Sequence, residues 1–105
     1  MATHNQLLNT LSRHIGKGNG VSVKQLAEVT GAKERHIRTL IEDLRNEGHA
    51  ICATPKDGYY IAGTPEELEQ TLSFLHKRAM SSLVQIAKLK RISMPDLLGQ
   101  LHVPT

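Results

Sequence analysis

The sequence predicts a mainly α-helical chain with one small β-hairpin and a long C-terminal helix. Three observations carry this. Apolar residues recur at helical spacing in three short segments of the first half. Two short β-prone runs then flank a Pro and Asp-Gly turn. Beyond them, residues 66–92 contain no Gly or Pro.

Leu7, Leu8, Leu11 and Ile15 set the first helix over about residues 4–15, stopped by Gly16, Gly18 and Gly20. The run Gly16-Lys17-Gly18-Asn19-Gly20 has neither the Gly-Lys-Ser/Thr ending nor the preceding apolar strand of a phosphate-binding loop, so it reads as a flexible turn. Val21 starts a very short strand. Ser22 and Gln25 have the spacing of a capping box for a second helix. Its buried face is Val23, Leu26, Ala27 and Val29, and Thr30-Gly31 ends it.

A third helix runs from about Glu34 to Glu47, with Ile37, Leu40, Ile41 and Leu44 as one apolar stripe and Gly48 as its stop. Two helices joined by a short Gly-containing turn form a helix-turn-helix. Ala50-Ile51-Cys52-Ala53, the turn Thr54-Pro55-Lys56-Asp57-Gly58 and Tyr59-Tyr60-Ile61-Ala62 add a hairpin. Helix-turn-helix followed by hairpin is a winged helix. Tyr59 and Tyr60 alternate across a strand, so one is expected on the core and one outside.

Thr64-Pro65-Glu66-Glu67 supplies an N-cap, Pro at the first helical position and Glu at the third. A helix over about residues 65–91, roughly 40 Å long, follows. Its spacing alternates four and three through Leu68, Leu72, Leu75, Ala79, Ser82, Ile86 and Leu89, a heptad seam weakened at its centre by Ala79 and Ser82. With Leu83 as the apolar residue at that centre, Leu68, Leu72, Leu75, Ala79, Leu83, Ile86 and Leu89 are the candidate dimerisation residues, the alternative being a helix folded back onto the domain. Glu66, Glu67 and Glu69 begin this helix, and His76, Lys77, Arg78, Lys88, Lys90 and Arg91 occupy its second half, a polarity suited to the helix dipole. After Pro95 a short amphipathic piece carries Leu97, Leu98 and Leu101 and must dock to be stable. The expected division is a winged helix over residues 1–63 and a helical extension over 64–105.

The stretch from Leu7 to Ala62 resembles the winged helix-turn-helix at the N-terminus of biotin repressors and related bacterial regulators. The resemblance rests on Val21-Ser22-Val23-Lys24-Gln25-Leu26-Ala27, Gly31, Ile37-Arg38, Leu44-Arg45-Asn46-Glu47-Gly48, Ile51 and Gly58-Tyr59-Tyr60-Ile61. It covers a little over half of the chain and implies a DNA-binding fold. One departure is the cap before the third helix, where that family places Ser or Thr and this chain has Ala32-Lys33. A missing side-chain cap costs about 1 kcal/mol.

In such a fold the third helix enters the major groove. Its face opposite the apolar stripe carries Arg35, Arg38, Thr39, Glu42 and Asn46. Arg35 and Arg38 suit guanine, Thr39 a thymine methyl or a phosphate, and Lys33 and His36 flank them. Lys24 at the second helix and Lys56 at the wing tip complete the candidate DNA-binding residues. Against this, Arg35 and Arg38 can pair with Glu34 and Glu42 across a helix turn. Glu42, Asp43 and Glu47 confine any DNA contact to the helix's first half.

Thirteen Lys and Arg oppose ten Asp and Glu, a net charge of +3, which permits nucleic-acid binding without requiring it. Cys52 is the only cysteine, so no intrachain disulfide forms. It is expected to be a buried, inert thiol. No signal peptide or apolar run of membrane-spanning length is evident, which predicts a cytoplasmic protein. His4, His14, His36, His49, His76 and His102 are scattered and no metal site is expected. No cofactor, small-molecule ligand or catalytic residue is expected.

The function expected is duplex-DNA binding by a dimeric bacterial or bacteriophage transcriptional regulator. The alternatives are a winged-helix protein-interaction or scaffolding module, or an accessory in DNA replication or packaging.

Overall fold

The computed structural model describes residues 3–100; Leu101 and His102, named above, lie outside them. In chain order the elements are α1 (His4–Leu11), a 3-10 turn (Lys17–Asn19), α2 (Val23–Thr30), α3 (Glu34–Asn46), β1 (Ile51–Thr54), β2 (Gly58–Ile61), α4 (Pro65–Lys90) and α5 (Met94–Gln100). The fold is mainly helical, with a two-stranded antiparallel hairpin after three helices and a long helix beyond it, as the sequence predicts. Two compact units divide the chain; one ends at Thr71 and the other begins at Leu72. The first unit takes in the first two turns of α4.

In the first unit, Leu7, Leu11, Val21, Leu26, Ile37, Leu40, Ile41, Leu44 and Ile51 form one buried cluster, against which Tyr59 and Ile61 pack. The α3 stripe is the centre of this core, as its spacing requires. Ser22 caps α2 in a complete capping box with Gln25. Gly31, at φ 74°, makes the left-handed turn into α3. At the other end of α3, Gly48 N–H donates to the Arg45 carbonyl and His49 N–H to the Leu44 carbonyl, the paired bonds of a Schellman motif. Lys33 occupies the N-cap of α3 without a side-chain cap bond, which realises the departure seen in the sequence.

Three expectations need correction. The first helix ends at Leu11 rather than near residue 15, because the next backbone groups bond elsewhere. Ile61 N–H donates to the His14 carbonyl and Gly16 N–H to the Ile61 carbonyl. Ile15 is thus drawn into a bridge beside Ile61 and stays exposed. Val29 is 66% exposed, and Thr30 takes the buried position instead, its hydroxyl donating to the Leu26 carbonyl at 2.7 Å. Neither tyrosine lies outside. Cys52 pairs with Tyr60 on the hairpin face opposite the helical core, and both are fully buried. Cys52 Sγ lies 3.7 Å from the Glu67 carbonyl, so the start of α4 runs over that face.

The glycine-rich segment is an ordered turn. Asn19 Nδ2 donates to the Ile15 carbonyl, and His14 Nδ1 pairs with the Asn19 carbonyl. Val21 then exchanges two backbone bonds with Tyr59, at 2.8 and 2.7 Å, an isolated bridge where the sequence predicts a very short strand.

In the second unit, α4 ends with Arg91 in the left-handed region at φ 57°. Arg91 N–H donates to the Lys88 carbonyl and Ile92 N–H to the Ala87 carbonyl, a second Schellman motif. Ser93 then caps α5 by accepting from Asp96 N–H. The side chains buried in this unit, among the described residues, are Ala87 and Leu97.

Candidate functional site

All seven residues expected to meet DNA are exposed: Lys24, Lys33, Arg35, His36, Arg38, Thr39 and Lys56. Lys33 to Thr39 lie together on the first two turns of α3, Lys24 lies in the first turn of α2, and Lys56 lies at the hairpin turn. Burial of Ile37, Leu40, Ile41 and Leu44 on the opposite side makes this arrangement unavoidable.

The electrostatics of the face are mixed. Arg38 lies 3.8 Å from Glu34 one turn earlier. Such an exposed pair is weak, yet it divides the arginine's charge between a carboxylate and any incoming phosphate. The Thr39 hydroxyl donates to the Arg35 carbonyl at 3.2 Å. Further along, Glu42 and Glu47 are exposed, and Asp43 pairs with His4 of α1 at 2.9 Å. The helix therefore offers alternating charge rather than a basic stripe.

Hydrogen bonds hold the wing at its base and tip. Arg45 Nε donates to the Ile51 carbonyl at 2.8 Å, tying α3 to β1. Thr54 and Asp57 close the tip, the hydroxyl donating to the carboxylate at 2.8 Å while accepting from Asp57 N–H at 2.9 Å. Gly58 sits at φ 77°, where an added Cβ would lie 2.4 Å from the Val21 carbonyl oxygen.

A second feature escaped the sequence. Ala50, Ala62, Gly63, Thr64, Pro65 and Leu68 line an open, mainly apolar depression of about 350 Å³ where the hairpin ends and α4 begins. Beside it, the Glu67 carboxylate accepts from Gly63 N–H at 2.7 Å and from Lys17 N–H at 3.0 Å. The bonds from Lys17 and then Gly63 hold the Glu67 carboxyl below the usual glutamate range.

Tyr60 is the buried side chain whose polar atom has no partner among the described residues. Burial, followed by the nearby Cys52, Glu67 and Asp57, raises its phenol above the usual tyrosine range. Among the described residues no three His, Cys, Asp or Glu gather as a metal would require, and no helix is long and apolar enough to cross a membrane.

Residues 1–54 match the family model described as Replication protein A C terminal. No curated protein matches the chain, and no solved structure does. The winged helix implied by the biotin-repressor resemblance is present, but the matching family is a different one. The match lends no support to transcription regulation or to a bacterial or bacteriophage origin. It reaches from the start of the chain through α1, α2, α3 and β1, more than half of the 105 residues. The chain belongs to the Replication protein A C terminal family, a family of non-catalytic winged-helix domains.

Proposed function

We propose that this winged helix is a protein-docking module of DNA replication or repair. The observation that carries the reading is the family match over residues 1–54, since domains of this family typically serve as protein-interaction modules in that setting. Two local features support it. The outward face of α3 alternates acid and base, which suits a polar protein partner better than a polyanion. The depression lined by Ala50, Ala62, Pro65 and Leu68 suits an apolar side chain of a docked segment. Under this reading the chain works with DNA-handling machinery, a nuclear site in cells that have a nucleus, rather than free in the cytoplasm.

The test is affinity capture with the full chain from a nuclease-treated extract, eluted in salt steps. Apolar docking retains a replication or repair protein at salt that strips material held through phosphates. Leu68→Ser, checked by thermal melting to be folded, releases that protein earlier. Capture of no such protein would overturn the reading.

A second reading is duplex-DNA binding by the first half of α3, with Lys24 and Lys56 at its margins. The exposure of Lys33, Arg35, His36, Arg38 and Thr39 on adjoining turns favours it. It predicts anisotropy changes with random duplex DNA that collapse as salt rises.

A further inference from the structure

We propose that the outward seam of α4 within the second unit pairs with the same seam of a second copy, and that the two helices run antiparallel. Leu72, Leu75, Ile86 and Leu89 are exposed by 46%, 38%, 36% and 85%, and Ala79 and Ser82 between them are exposed as well. Six residues at alternating spacings of three and four make one stripe on a straight helix. It spans about 27 Å. Leu83 is half-buried and shares a face with the buried Ala87, one turn on, so the central seam residue is Ser82.

The stripe is symmetric about its middle. Read from either end it runs large, large, small, small, large, large. An antiparallel partner sets Leu72 against Leu89, Leu75 against Ile86, and Ala79 against Ser82. Small residues at the crossing let the two backbones approach, and the leucines and isoleucines close each end.

Charge selects this orientation over the parallel one. Within the second unit the helix begins with the uncharged Leu72, Ser73 and Phe74 and ends with Lys88 and Lys90, followed by Arg91. A parallel pair sets the two basic turns side by side, with the two dipoles aligned. An antiparallel pair separates them, setting the basic last turn of each copy beside the uncharged residues around Leu72 of the other, and the dipoles oppose.

The experiment is sedimentation equilibrium of the full chain across the micromolar range, paired with orientation-specific cross-linking. The wild type is expected at twice the 11.6 kDa chain mass. Leu89→Glu touches little within one chain, so it leaves the melting of the winged helix in place while weakening the dimer at least about tenfold. Chains carrying Leu72→Cys and chains carrying Leu89→Cys are expected to form the mixed disulfide when combined, and little disulfide when kept apart. Cys52 is buried and does not compete. A monomer throughout the range, a dimer unmoved by Leu89→Glu, or variants that link to themselves more readily than to each other would each overturn the proposal.

Discussion

The Lys17 N–H donates to Glu67 Oε2 at 3.0 Å across fifty residues of chain. With its other oxygen on Gly63 N–H, Glu67 joins the glycine-rich turn, the end of the hairpin and the start of α4. The Thr64 hydroxyl, accepting from Glu67 N–H at 3.2 Å, fixes the helix end that presents it.

Because Glu67 titrates below the ordinary glutamate range when folded, its contribution is fully present above that range. It is lost as pH falls through the lower, folded value. Melting temperature measured from neutral pH into the acid range should therefore fall, and Glu67→Gln should flatten that fall. At neutral pH Glu67→Gln should melt below the wild type.

Gly58→Ala tests the clamp between wing and core. The substitution forces a left-handed φ on alanine and sets its Cβ 2.4 Å from backbone oxygen of Val21. Together these should cost on the order of 3 kcal/mol in urea unfolding. Gly31→Ala also has positive φ but meets open space, so it should cost only about 1 kcal/mol.

Lys33→Ser restores an oxygen at an uncapped helix start. The Lys33 backbone already has the extended conformation of a cap, at φ −72° and ψ 149°. Stability should rise by about 1 kcal/mol in chemical denaturation, with the fold unchanged.

Tyr60→Phe removes a buried hydroxyl that bonds to nothing among the described residues. Where most large-to-small core changes destabilise, this one should be neutral or stabilise by up to about 1 kcal/mol in the same assay.

The helical core was legible because its signals are local. The capping box at Ser22 and Gln25, the stripe from Ile37 to Leu44 and the stop at Gly48 each act within a few residues. Structure departs from expectation where distant chain intervenes. Ile15 has helical spacing from Leu11, but Ile61 takes the backbone bonds around it. Tyr60 alternates outward from the three-helix core, but the start of α4 covers that side. Glu67 does act on its own cap, the Thr64 amide being among the groups that lower it, but nothing in the pattern foretells its reach to Lys17. The cationic residues of α3 are exposed, as the helical spacing predicts. What they meet is a property of a partner, and helical spacing carries no record of it.

The most direct test of the docking account is fluorescence anisotropy of a labelled random duplex, titrated with wild type and with Arg35→Ala/Arg38→Ala over a salt series. A protein-docking module predicts no saturable binding at physiological salt and no difference between the two proteins. Micromolar or tighter binding that weakens steeply with salt and drops in the double variant would contradict it, and would make α3 a DNA-reading helix.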